Sequence, residues 1–459
     1  MDNKIFVEII FILSILLMVF LIIRRPFFYI RIINRKIKLD TYIFGALFAP
    51  VLIIIFGFLN YSQILGGLVG QGTLNPFGVL VLFLSMVFMS IYLDTTGFFE
   101  YFARIALKFS KNNGKILFFS FYFVISFLTI FTSNDIVILT FTPFIYYFTK
   151  HAKIDPVPYL IAEFFAANTW SIMLYIGNPT NIVLATAFQI DFLEYFKWMF
   201  LPAIVAGFVN LMLLYLVFRK RIQINVKHVE VICPADALTD KIGAILGIII
   251  LFSCIVFLAI APYFYIDLWL VSFGFAIGLL IILVVRDSYS RVIRKNMNKD
   301  MFKVTKTLRR IPVGVIPFVL AMFISVEALR IYEVTTDIGI FFKDVVSQSM
   351  ISSVFLFGFS SAFLANILNN IPMTVAYVPI IQTFTSSLSL PVIFATAIGS
   401  NLGANITPLG ALAGIMWISI LRNKNVNFSF KEFIKYGLII TPLTLFVCLG
   451  VLAFEFLIF

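Results

Sequence analysis

The chain has 459 residues, of which 61% are hydrophobic and only 12% charged, with a formal net charge of +12. A soluble domain carries about a quarter charged residues and cannot hide this much apolar surface, so a soluble protein is excluded and the long uncharged runs are membrane spans. Nor does the positive balance signal nucleic acid: 30 of the 34 Lys and Arg fall in six segments, 24–40, 94–115, 150–155, 219–241, 286–311 and 422–435. These lie between alternate pairs of apolar runs, as the positive-inside rule requires of cytoplasmic loops.

In chain order, this charge pattern predicts a span over 5–23 running inward. It is followed by Arg24 and Arg25 without a small-residue cleavage site, so it is expected to be retained. Residues 41–59 run outward, and the uncharged loop 60–75, with Gly66, Gly67 and Gly70, is external. Residues 76–93 run inward, ending near Asp94, a boundary carboxylate expected to be solvated. The next apolar segment, 116–149, has Lys115 before it and Lys150 after it, so both of its ends are cytoplasmic. Two spans of about 20 residues with a turn need more than this length. A re-entrant hairpin with its tip at Thr132-Ser133-Asn134-Asp135 is expected; an external turn between two short spans is the alternative.

Residues 157–190 are too long for one straight helix. They are broken at Gly177-Asn178-Pro179-Thr180-Asn181, where Gly and Pro interrupt backbone pairing and Asn and Thr can restore it. Residues 198–218 return inward, and 242–261 with 268–285 form an out-and-back pair. The basic stretch 286–311 is expected to be helical and is the candidate docking site for a cytoplasmic partner such as an ATPase. Residues 312–330 run outward. Residues 351–386 form a second hairpin on the external side, with Asn366, Asn369, Asn370 and Pro372 in its polar middle. Residues 391–421 are a second broken span, interrupted over 400–410, and 436–458 run outward. The expected fold is an all-α polytopic membrane protein of about 10 spans plus two hairpins, with both termini extracytoplasmic.

The chain repeats itself. PFGVLVLFLSMVF at 76–88 matches PVGVIPFVLAMFI at 312–324 at an offset of 236, and the same offset pairs Asn134 with Asn370 and Pro143 with Pro379. Pro76 starts outside and Pro312 inside, so the copies are inverted in the membrane. Four units follow: N-terminal scaffold helices 1–75, a first repeat 76–218, linking helices and basic loops 219–311, and a second repeat 312–459. Inverted repeats that each carry a broken span point to a secondary transporter with its binding site at the breaks.

Four polar interruptions define the candidate site, each hairpin tip meeting the break of its own copy near the midplane. The first tip contributes Thr132, Ser133, Asn134 and Asp135; the first break, Gly177, Asn178, Thr180 and Asn181. The second tip contributes Asn369 and Asn370; the second break, Ser400, Asn401, Gly403, Asn405, Thr407 and Pro408. Unwound carbonyls there can coordinate a cation, helix N-termini can face a polar solute, and Asn and Thr offer donors and acceptors without a buried charge. Asp135 is the candidate carrier of a coupling proton, since a carboxylate at a hairpin tip is expensive in hydrocarbon. Its mate at the repeat offset is Ile371. Glu163 lies in the first arm of the broken span, and Glu327 and Arg330 are spaced to pair with each other. Cys233, Cys254 and Cys448 and the histidines His151 and His228 form no metal or redox pattern, so no metal or organic cofactor is expected.

At these motifs the chain resembles the arsenite permease family of the ion transporter superfamily, which also holds divalent anion:sodium symporters, citrate carriers and Na+/H+ antiporters. The resemblance covers about 40–459 and rests on SNDIVILTFTP at 133–143, IGNPTNIV at 176–183, VEAL at 326–329, NNIP at 369–372 and GSNLGANITPLGALAGIMW at 399–417. It implies two re-entrant hairpins, two broken helices, an elevator-like movement of that unit and often a homodimer. It also implies that Asn134, Asp135, Asn178, Thr180, Asn181, Asn370, Asn401, Asn405, Thr407 and Pro408 lie near the substrate or the coupling ion. The family typically carries Asp where this chain has Asn401, and Pro and a basic residue where it has Ala404 and Asn405.

The expected function is therefore secondary transport of a small anion or metalloid across the plasma membrane, with arsenite or antimonite efflux against protons as the leading reading. Sodium-coupled uptake of a carboxylate such as citrate, or Na+/H+ exchange, is the alternative, favoured by the carboxylate-poor second break. An intramembrane enzyme is not expected, because neither histidine lies in a span. A channel fits paired breaks less well than alternating access does.

Overall fold

In hydrocarbon every backbone N–H and C=O must find a partner within its own segment, and the apolar runs accordingly become helices. The computed structural model describes residues 3–25, 27–32, 35–69, 75–223, 233–293, 302–346, 349–384, 386–424, 426 and 428–459. Gly70, His228 and positions 294–301 of the basic stretch lie outside the described residues.

The N-terminal part is α1 (Asn3–Arg24), α2 (Tyr42–Ile55) and α3 (Tyr61–Val69). The first repeat follows: α4 (Pro76–Thr95), α5 (Phe98–Ser110), α6 (Gly114–Phe131), α7 (Asn134–Ala152), α8 (Val157–Trp170), α9 (Pro179–Ala187) and α10 (Phe192–Phe218). Next come the linkers α11 (Lys241–Ile260), α12 (Leu268–Ile293) and α13 (Lys303–Leu308). The second repeat is α14 (Val315–Ile331), α15 (Val334–Val346), α16 (Met350–Leu368), α17 (Asn370–Gln382), α18 (Ser386–Gly403), α19 (Leu412–Asn423) and α20 (Phe430–Ile458). The two repeats correspond helix for helix: α5 and α15, α6 and α16, and α7 and α17 each start 236 residues apart. A single 3-10 turn sits in each break, at Tyr175–Gly177 and Pro408–Gly410.

Among the described residues, eight helices are long and apolar enough to cross a membrane, or nine if α14 and α15, bent by 71°, count together. Two of the eight, α6 and α16, are first arms of the hairpins. The other predicted spans are built from shorter pieces: α2, α14, and the broken pairs α8/α9 and α18/α19. Burial separates interior from periphery. All 14 residues of α8 are buried, whereas only 22% of the apolar window of α12 is, so α12 presents its surface to lipid.

Three features depart from the sequence expectation. Residues 24–40, expected as a loop, contain an antiparallel ribbon of β1 (Phe27–Ile32) and β2 (Arg35–Asp40), with Phe27 opposite Asp40 and Ile32 opposite Arg35. Phe, Tyr and Ile favour this extended backbone, and the fold is all-α apart from it. The connections after α4 and α14 are helices, α5 and α15, rather than loops. Along α5, Phe99, Ala103, Ala106, Leu107 and Ser110 are buried on one face, the spacing of an amphipathic helix. Finally, Asp94 is not a solvated boundary carboxylate. Its side chain is 9% exposed and pairs with Arg310 at 2.5 Å, because α13 and the following turn fold over the end of α4. The pairing expected of Glu327 and Arg330 is present, at 2.7 and 2.8 Å.

The second broken helix is set against the second hairpin by small residues. A Cβ on Gly403 would lie 2.6 Å from the Ala362 backbone of α16, and one on Gly399 would strike the Gly358 carbonyl. This is the close approach that a small-xxx-small pattern permits in membranes. Gly403→Val should therefore destabilise the protein by ~1–3 kcal/mol, as overpacking does. Gly274→Val, where a Cβ meets nothing within 4 Å, should be silent. Thermal unfolding in detergent, followed by size-exclusion, distinguishes the two; equal losses would contradict this packing.

Candidate functional site

Each break begins with a helix that stops inside the protein and leaves carbonyls unpaired. After α8, Asn181 turns back and donates from Nδ2 to the carbonyls of Ser171 (2.9 Å) and Leu174 (3.4 Å). Asn178 caps α9, its Oδ1 accepting from the Thr180 N–H at 3.1 Å, with Pro179 at the first helical position, where no N–H is needed. After α18 the repair comes from the second hairpin. Asn366 Nδ2 donates to the Gly403 carbonyl (2.9 Å), Asn366 Oδ1 accepts from the Thr407 N–H (2.9 Å), and Asn369 Nδ2 donates to the Leu409 carbonyl (3.0 Å). Thr407 Oγ1 accepts from the Leu409 N–H at 3.2 Å. Asn369 itself turns the hairpin with φ +73°.

The two breaks then meet each other. Asn401 Oδ1 accepts from Ser171 Oγ (2.8 Å) and Asn178 Nδ2 (2.9 Å), and Asn401 Nδ2 donates to Asn181 Oδ1 (2.7 Å). Ser400 Oγ donates to Thr180 Oγ1 at 3.0 Å. The first tip joins through Asn134 Nδ2, which donates to Asn168 Oδ1 at 2.9 Å, and Asn168 Nδ2 donates to Asn405 Oδ1 at 3.1 Å. Asn134, Asn168, Asn178, Asn181, Asn401 and Asn405 are all buried. Residues from three of the four interruptions thus share one enclosed amide and hydroxyl cluster, and Asn366 and Asn369 of the fourth hold the backbone of the second break.

Not every predicted residue enters this cluster. Asn370, the repeat mate of Asn134, is buried but makes no side-chain hydrogen bond among the described residues; Asn366 and Asn369 act in its place. Thr132 Oγ1 bonds back to the Leu128 carbonyl at 2.7 Å. Gly177 and Gly403 serve close packing, and Pro408 opens the second 3-10 turn. Asp135 points elsewhere: it lines a separate cavity of 330 Å³ with Asp40, Tyr42, Arg309 and Arg310. Sequence reasoning left out Asn168 and Ser171, and it placed Asn366 in the polar middle of the second hairpin without counting it among the site residues. The signal was available, since Asn168 and Ser171 are polar, one turn apart, at the end of an apolar helix.

Ser133 Oγ, Thr169 Oγ1 and Asn405 Nδ2 are buried without a hydrogen-bond partner among the described residues, as are polar atoms outside the cluster such as Ser90 Oγ and Thr335 Oγ1. Glu163 is also fully buried, one oxygen accepting from Thr142 Oγ1 at 2.8 Å. Among the described residues there is no group of three His, Cys, Asp or Glu able to hold a metal ion.

The profile of a family described as citrate transporter matches residues 29–399 of this chain. The arsenical pump membrane protein of Escherichia coli (strain K12) is 28% identical over 376 residues, covering 81% of this chain and 85% of that protein. The arsenical pump membrane protein of Yersinia enterocolitica is 27% identical over the same shares. The crystal structure of the Alcanivorax borkumensis YdaH transporter matches with a TM-score of 0.53 at 12% identity, over 98% of this chain and 97% of that one, a likeness of fold.

Asn401 is the node of the cluster: Asn401→Ala would strand Asn178 Nδ2 and take one bond each from Ser171 and Asn181, which keep the Asn168 carbonyl and Thr180 Oγ1. At ~1–3 kcal/mol for a stranded group, the expected loss of stability is about 1–3 kcal/mol. Thermal unfolding should show this loss, while Asn370→Ala, which breaks no side-chain bond, should fall well short of it.

Proposed function

The chain belongs to the citrate transporter family, and from that premise we propose that it exports arsenite or antimonite across the plasma membrane in exchange for protons, by alternating access. It is a multi-pass membrane transporter whose partners are the bilayer and a small solute. The observation that carries the substrate reading is the neutrality of the buried cluster. Asn134, Asn168, Ser171, Asn178, Thr180, Asn181, Ser400, Asn401 and Asn405 bond to one another and to backbone, with no Lys, Arg, Asp or Glu among their partners in the described residues. An organic carboxylate would need a desolvated cation here. Arsenous and antimonous acids are uncharged trihydroxides near neutral pH, and they match a lining of mixed donors and acceptors.

In this reading the hairpins α6–α7 and α16–α17 and the broken pairs α8/α9 and α18/α19 move as one unit against α1–α5 and α10–α15. The units 1–75, 76–218, 219–311 and 312–459 supply these parts, with both termini outside. Asp135 takes up a proton outside and releases it inside as the solute leaves. A homodimer and a cytoplasmic ATPase seated on 286–311 extend the same reading. Sodium-coupled carboxylate uptake, or Na+/H+ exchange, is the second reading. The freed carbonyls of both breaks favour it, because they are the oxygens a sodium ion would use.

In sealed proteoliposomes a pH gradient alone should drive arsenite against its concentration gradient, and Asp135→Asn should abolish that drive while leaving arsenite binding in place. Unchanged pH-driven flux in Asp135→Asn would remove Asp135 from the role. Citrate uptake that requires sodium would replace the substrate and the coupling ion together.

A further inference from the structure

Asp135 and Arg310 face the same 330 Å³ cavity from different parts of the molecule. Asp135 belongs to the tip of the first hairpin, whereas Arg310 lies between α13 and α14. The Asp135 carboxylate has no hydrogen bond among the described residues; only its N–H is used, donating to Asn134 Oδ1 at 2.9 Å. Arg310 is held by Asp94 of α4 at 2.5 Å, yet its side chain remains 39% exposed. The other charged groups around Asp135 are Asp40 at the end of β2 and Arg309, and both are already engaged. Tyr42 is the titratable group from α2, while α4 and α19 present apolar side chains and Ser419.

A second cavity of 670 Å³ lies on the other side of α7, and Asp94, Glu100, Arg104, His151 and Lys306 line it. Arg310 and Leu139 line both cavities. Arg310 thus stands where the two spaces meet, with a buried carboxylate on one side and an unpaired one on the other. The second repeat has no such arrangement. At the position of Asp94 it has Arg330, which pairs with Glu327, and at the position of Asp135 it has Ile371. The corresponding space, lined by Arg330, Val375 and Pro379, is only 70 Å³.

We propose that Arg310 is a switchable counter-ion, leaving Asp94 for Asp135 when Asp135 is ionised and returning to Asp94 when Asp135 takes up a proton. One guanidinium cannot pair closely with both carboxylates at once, so the two acids compete for it. The proton leaves on the side where the guanidinium takes its place. Arg310 is thus a positioning residue for Asp135. The inference rests on Asp135 carrying the coupling proton.

The test is the pH profile of arsenite exchange by the full chain in proteoliposomes, for five variants. Asp94→Asn leaves Arg310 to Asp135 alone and should move the midpoint of the profile down by about one pH unit, the size of effect of an added opposite charge. Arg310→Gln should move it up by a similar amount, and Asp94→Asn in an Asp135→Asn background, where the pH drive is already lost, should not restore a midpoint. Arg310→Lys, which keeps the charge, should restore most of the wild-type midpoint. A purely structural Asp94–Arg310 pair would lower the rate in both single variants with the midpoint unmoved, and that result overturns the inference. If Asp135→Asn itself keeps the wild-type profile, the assignment of Asp135 fails instead. Size-exclusion of each variant identifies loss of folding.

Discussion

A helix interrupted inside a membrane protein exposes carbonyls and N–H groups that no water is at hand to satisfy, and this structure is organised around that requirement. Asn181 repairs the first break from within its own segment, whereas Asn366 and Asn369 repair the second from the neighbouring hairpin. The same amides hold the breaks open and join them to each other. A neutral amide suits both tasks, because it can donate and accept without the desolvation cost of a buried charge.

The two repeats share a path but not a chemistry. The first tip reaches the cluster through Asn134, whereas the second tip uses its flanking asparagines and leaves the side chain of Asn370 without a hydrogen bond. Charged groups are equally uneven. Asp94 and Asp135 lie on the first repeat, with Arg330 and Ile371 at their mates, and the cavities beside them differ several-fold in volume. An inverted repeat with identical halves would have no preferred side for its coupling ion. Here the asymmetry confines a carboxylate and its arginine to one end.

Much of this was legible in the chain. The clustering of Lys and Arg identified the loops, since charge is confined where hydrocarbon is absent. The offset of 236 aligned the two hairpin tips, and it holds for the starts of three helix pairs; the breaks were read from their Gly, Pro and Asn residues. Less was legible where a signal was short or shared between functions. The amphipathic face of α5 was hidden in a stretch whose charges said only that it was cytoplasmic. Asn168 and Ser171 sit at the end of a helix whose length suggested an uninterrupted arm, so their polarity drew no notice.

The sequence by itself determined the class, the approximate spans and the residues that interrupt them. Hydropathy, loop charge and periodicity are local properties and survive without coordinates. Only the tertiary structure decided which interruptions touch. It joined Asn134 to Asn168 and Asn405, and Asn401 to Asn178 and Asn181. It also placed Asp135 outside the cluster that Asn134 joins, in a cavity that Arg310 lines as well. Adjacent residues on a helix point about 100° apart, so a tip that reads as one polar motif can serve two separate spaces, and packing alone selects which residue enters each.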